Sequence, residues 1–124
     1  MTTEDFRKEC ECKAELLCQK VRKEFDAYID VVRRNTVDGV IASAHEIADK
    51  DNICEWLNTR NLPSYLTMQQ TDALLKINDT LEELYQTLID TSASGGEYDI
   101  EYTVTSTADY YIDKEKENKG IEER

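Results

Sequence analysis

The chain has 124 residues with four Gly, one Pro, four Cys and a net charge of −12 at pH 7. That length gives one domain whose core needs no metal or disulfide, and the charge argues against direct binding to nucleic acid or an anionic membrane. No apolar run reaches the roughly 18 residues of a membrane span, and the start, MTTEDFRKEC, lacks a signal peptide's apolar core, so a cytoplasmic protein with reduced thiols is expected.

Thr2 or Thr3 caps a first helix, with Glu4 and Asp5 in its opening turn. Phe6, Cys10, Ala14, Leu17, Val21, Phe25, Tyr28, Ile29 and Val32 then recur at steps of three and four, one helical stripe. A helix of about 30 residues would run roughly 45 Å. That is more than a compact domain of this size requires, so its first turns are expected to project or to pair with another chain.

Asn35 and Thr36 end this helix. Residues 36–57 hold the only His and the only Trp, and the other helices are expected to pack on them. Val37, Val40, Ile41, Ala44, Ile47 and Ala48 form a first helix there, in which Gly39 gives room for close approach to helix 1. The run Asp49-Lys50-Asp51-Asn52 has no apolar residue and reads as a break. Asp51 then caps a short helix with Ile53, Trp56 and Leu57.

A loop over 58–64 contains Pro63. Thr67 and Gln70 fit a capping box before Met68, Ala73, Leu74, Leu75 and Ile77. After Asn78, Asp79 or Thr80 starts a helix with Leu81, Leu84, Tyr85, Leu88 and Ile89. TSASGG at 91–96 is a linker. Beyond it two periods compete. Tyr98, Ile100, Tyr102 and Val104 alternate as in a strand, while Ile100, Val104, Ala108, Tyr111 and Ile112 make a helical stripe. A single strand has nothing to pair with, so helix is the reading. The expected fold is all-α: one compact domain, 1–113, of five or six helices with a long N-terminal helix, then a charged tail, 114–124.

The segments FDAYI, Thr-Val-Asp-Gly at the second helix start, AHEIADKDNICEWL, LTMQQTDALL and DTLEELYQTL resemble a family of small helical domains from gut Firmicutes and their prophages. The resemblance covers about residues 24–89. Family members more often have Pro after the cap and Tyr where His45 stands; here the first position is Val37. The matching positions are caps and packing residues, so the resemblance implies a helical fold and a phage-related setting but no active site. In general character the chain also resembles the acidic anti-defence (anti-CRISPR) inhibitors of phages.

Few groups could carry chemistry. Cys10, Cys12 and Cys18 with His45 are the best metal set. However, Cys10 and Cys12 on one helix diverge by about 200°, and zinc knuckles use other spacings. His45 between Ala44 and Glu46 has no nucleophile or oxyanion site beside it. No phosphate loop or dinucleotide fingerprint occurs, and Glu82-Glu83 and Glu122-Glu123 read as solvated faces. No catalytic residue, metal or cofactor is expected.

Charge is the informative property. Residues 1–34 hold eight acids and eight bases, and 114–124 four of each. Residues 35–113 hold fifteen acids against Lys50, Arg60 and Lys76, so they carry the whole net charge. Asp79, Glu83 and Asp90 recur at steps of four and seven, and Asp109 and Asp113 at four. Tyr98, Tyr102, Tyr110 and Tyr111 interleave with Asp99, Glu101, Asp109 and Asp113. Four helical residues rise about 6 Å and duplex phosphates advance about 3.4 Å along each strand, so rows of carboxylates on neighbouring helices would present charge at a density comparable with a nucleic-acid backbone. The expected function is a non-enzymatic nucleic-acid mimic that inhibits a basic nucleic-acid-binding partner, such as an RNA-guided nuclease. Its contact residues would be Asp79, Glu82, Glu83, Asp90, Asp99, Glu101, Tyr102, Asp109, Tyr110 and Asp113. Reversing Glu82, Glu83, Asp99 and Glu101 to Lys should then abolish inhibition and spare the fold. The alternatives are a solvated acidic surface, or a helical interaction module that dimerises through its first helix.

Overall fold

The computed structural model describes residues 2–93 and 99–122. α1 (Thr3–Arg33) is the element on which the next four helices pack, while the last helix packs on the fourth and fifth. Thr2 caps it, its Oγ1 accepting from the Asp5 amide at 3.1 Å. Ala14, Leu17, Val21 and Val32 of the expected stripe are buried, and Phe25, Tyr28 and Ile29 are half-buried. The stripe therefore faces α3, α4 and α5 of its own chain. Only the first turns stand clear of the core, with Phe6 49% exposed.

α2 (Val37–Ala42) and α3 (Ala44–Thr59) meet at Ser43, which corrects the expected break at 49–52. Thr36 Oγ1 accepts from the Gly39 amide at 3.1 Å, and Ser43 Oγ donates to the Gly39 carbonyl at 3.0 Å. Gly39 packs against Asn35 rather than deeper in α1: a Cβ there would stand 2.7 Å from Asn35 Cγ. The charged run 49–52 stays helical because one of its members, Lys50, is an inward position. Ile47, Lys50, Ile53 and Leu57 follow at steps of three and four, and Lys50 is only 4% exposed.

The expectation that 36–57 organises the fold holds for its second half alone. Ile53, Cys54, Trp56 and Leu57 enter the core, whereas α2 buries nothing. Helices of six residues lack the length to be stable by themselves, so α2 is held by its caps and its junctions.

A 3-10 turn at Leu62–Ser64 carries Pro63 and buries Leu62. α4 (Met68–Leu75) opens with the complete Thr67–Gln70 capping box, at 2.9 Å and 3.1 Å. Lys13 ties it to α1 through Asp72 at 2.8 Å. α5 (Thr80–Ala93) buries Leu81, Leu84 and Leu88. Its first amides are satisfied from a distant element: the Glu24 carboxylate accepts from Thr80 N at 3.1 Å and Leu81 N at 2.9 Å. Lys20, ion-paired with Glu24, also reaches the Thr80 hydroxyl at 3.0 Å.

α6 (Ile100–Glu122) is helix where the strand pattern competed, and no strand occurs among the described residues. Its β-branched residues are accommodated by bonds back to the preceding turn. Thr103 Oγ1 donates to the Asp99 carbonyl at 2.8 Å, and Thr105 Oγ1 to the Glu101 carbonyl at 3.0 Å. Thr107 instead bonds Thr87 of α5 at 3.1 Å. α5 takes in the start of the expected linker; 94–96 and Tyr98 lie outside the described residues. α6 runs on through all of 114–122, so most of the tail expected over 114–124 is helix, and Glu115 pairs with Lys76 at 3.2 Å.

Candidate acidic binding face

α5 and α6 lie antiparallel. Thr87 meets Thr107, and one turn further along Glu83 lies beside Tyr111, whose pKa its carboxylate helps to raise. The end of α5 with Asp90 therefore lies at the same end of this pair as Asp99 and Glu101 at the start of α6. All ten candidate residues are in the described part, and the structure divides them into two groups.

Four of them serve the fold. Glu82 is bound by Lys50 at 2.6 Å and by Gln86 Nε2 at 2.9 Å. Asp79 caps α5, its Oδ1 accepting from Glu82 N at 3.2 Å. Asp99 caps α6 in the same way, through Tyr102 N at 3.1 Å. Glu83 is half-buried against Tyr111, whose pKa is pushed up by burial and then by that carboxylate. Reversing Glu82, Glu83 and Asp99 would therefore not spare the fold as expected.

Asp79, Glu82 and Glu83 line a cleft of about 630 Å³ with Tyr111, Glu115, Lys76 and Lys114. It carries both signs of charge and is not a purely acidic surface.

The others stand outward. Tyr102 and Tyr110 are 55% and 60% exposed, and Glu101, Asp109 and Asp113 are exposed. At 100° per residue Tyr102, Asp109 and Asp113 fall within about 40° of one another on α6. Tyr110 flanks them, while Glu101 stands off to one side. Tyr110 and Tyr111 meet edge to face at 5.2 Å, with Lys114 5.8 Å from each ring. Asp109 accepts from Gln70 Nε2 at 3.0 Å, which leaves its second oxygen outward. Asp90 is exposed near the end of α5. The side chain of Glu122, and Glu123, lie outside the described residues.

The residue that periodicity could have flagged is Lys50. It lies 3.1 Å from Glu46, 2.6 Å from Glu82 and 3.8 Å from the centre of the Tyr28 ring, joining α1, α3 and α5. Burial lowers its pKa, but hydrogen bonds and charge from Glu82 and Glu46 outweigh that and leave it raised. Burial raises the Glu82 pKa, but Lys50 and Gln86 outweigh that and leave it lowered. Burial also drives up the Tyr28 hydroxyl, followed by the neighbouring Glu46.

The cysteine and histidine candidates are not brought together. His45 and Cys12 are exposed. Cys18 Sγ donates to the Leu57 carbonyl at 3.1 Å, and Cys54 is buried. Burial raises the pKa of both the Cys18 and the Cys54 thiols, the reverse of what a reactive thiolate needs. Among the described residues no three His, Cys, Asp or Glu side chains are grouped as metal ligands. No helix among them is long and apolar enough to cross a membrane. The chain matches no protein-family model, no curated protein and no solved structure.

Proposed function

We propose that this chain is a non-enzymatic, cytoplasmic binding protein that covers the basic nucleic-acid-binding surface of a partner. The observation that carries this reading is the separation of charge. The net −12 arises between residues 35 and 113, where all three cations are engaged by the chain itself. Lys50 is buried between two carboxylates, Lys76 pairs with Glu115, and Arg60 lies 5.2 Å over Trp56. The outer face of α6 meanwhile turns Asp109 and Asp113 outward beside Tyr102 and Tyr110. Carboxylates about 6 Å apart approximate every second phosphate of a strand. Tyrosine adds an interface anchor that fits a basic, partly apolar channel.

An RNA-guided DNA nuclease is the partner class that suits such a surface, in the prophage setting the sequence resemblance implies. The test is order of addition. Protein added before target DNA should block cleavage, and protein added after DNA should not. Equal inhibition in both orders, or none, would remove competition for that surface as the mechanism. The competing reading is a helical interaction module acting as a dimer through its first helix. Salt separates the two, because exposed charge contacts weaken steeply with ionic strength and apolar contacts do not.

A further inference from the structure

We propose that the cleft between α4, α5 and α6 is a binding site for an organic cation with a flat guanidinium head. Its volume of about 630 Å³ falls in the range of roughly 300–1,000 Å³ that small-molecule sites occupy. The buried Ala73 and Ile77 supply apolar wall, and so does the half-buried ring of Tyr111. Charged side chains converge on the rest, the combination expected of a ligand site.

Hydrogen bonding excludes an anion. The cleft lies at the start of α5, and a helix start ordinarily attracts anions through its amides. Here the chain occupies those amides itself. Glu24 accepts from Thr80 N at 3.1 Å and from Leu81 N at 2.9 Å. Asp79 takes the next two, Glu82 N through Oδ1 and Glu83 N through its carbonyl, both at 3.2 Å.

Charge then selects a cation. Lys76 is matched by Glu115, and Glu82 by Lys50. The remaining charges lining the cleft are Asp79, Glu83 and Lys114, one cation against two anions. Asp79 caps through one oxygen, and a carboxylate has room for further donors. Glu83 stands one turn along, about 6 Å away by helical rise, beside the Tyr111 ring. The chain already seats a cation at this wall: Lys114 Nζ is 5.8 Å from the centre of Tyr111, within cation–π reach. A guanidinium suits the place better than an ammonium. It is planar and weakly hydrated, and it can stack on a ring while its fork donates to carboxylates. This site is independent of the mimicry reading, which rests on the outer face of α6.

An NMR titration of the full chain tests it, with butylguanidine and with N-acetylated arginine, lysine and citrulline amides as probes. Butylguanidine and the blocked arginine should shift the backbone amides of 77–83 and 110–115 saturably. They should bind at least about tenfold more tightly than the blocked lysine or the uncharged citrulline. Tighter binding of butylguanidine would assign the cleft to a free guanidino compound, and tighter binding of the blocked arginine to an arginine side chain of a polypeptide. D79N/E83Q should keep the wild-type circular dichroism, because Asn caps a helix as well as Asp. It should bind the blocked arginine at least about tenfold more weakly. K114A, which removes the resident cation, should bind more tightly, and K116A, the same charge change at an exposed position on α6, should not. Shifts that never saturate, citrulline binding as tightly as arginine, or D79N/E83Q binding like wild type would each overturn the proposal.

Discussion

Lys50 shows how one side chain can reverse the local reading. Removing one partner from a buried ion pair typically costs about 3–5 kcal/mol. Glu46 and Glu82 remain partly open to water here, with side chains 32% and 40% exposed, so the lower end applies. Lys50→Ala should cost about 3 kcal/mol in urea unfolding, and Lys50→Met, which keeps the packing over Tyr28, should cost less. The pH dependence follows from the two shifts. Glu82 has a lowered folded pKa, so its contribution is complete above its ordinary value of 4.5 and is lost as pH falls through the folded value. Lys50 has a raised folded pKa, so its contribution is complete below 10.5 and is lost only as pH rises through the folded value. Wild type should therefore lose more stability than Glu82→Gln as pH is taken down from 5. Equal acid sensitivity in denaturant melts would contradict this role. Lys50 was hidden in the sequence by composition, since its neighbours Asp49, Asp51 and Asn52 are polar. Its step of three from Ile47 and from Ile53 was the signal of an inward position.

Among the elements, caps and stripes were legible because they are local. The Thr67–Gln70 box and the Thr2 and Thr36 caps are read from a few adjacent residues, and each is present. Thr67→Ala should cost about 1 kcal/mol. The tertiary cap of α5 was not legible, because Glu24 and Thr80 are 56 residues apart in sequence. Glu24→Ala should cost about 1–2 kcal/mol, leaving two amides at a helix start without their acceptor. The two halves of 36–57 differ for a similar reason. Their apolar patterns look alike, but only the second half buries its side chains in the core. In dilute monomer Ile53→Ala should cost about 2–5 kcal/mol, while Ile41→Ala should stay within about 0.5 kcal/mol. Comparable losses at both sites would contradict the exposure of α2. In α6 the strand-like alternation came from Thr and Tyr, and threonine hydroxyls bonded to carbonyls one turn back let that composition remain helical.

For the whole molecule, the segregation of charge could be counted directly from the sequence. Which carboxylates remain for a partner could not, because Glu82, Glu83 and Asp79 are committed by residues distant in sequence or by the start of a helix. The variant that reverses the face and spares the fold is therefore E101K/D109K/D113K, all on α6 and all exposed. Its melting should stay close to wild type, with the Gln70–Asp109 bond and the favourable charge of Glu101 in the first turn of α6 lost. Like charges set against a basic surface cost several kcal/mol, so this variant should bind the partner roughly a hundredfold or more weakly. The measurement that tests the central claim most directly is the affinity of wild type and of this variant for an RNA-guided DNA nuclease across a salt series. The account predicts wild-type binding that falls steeply with salt and competes with DNA, and a variant that scarcely binds at any salt. A variant that binds and inhibits as well as wild type would show that the acidic face of α6 is not the inhibitory surface.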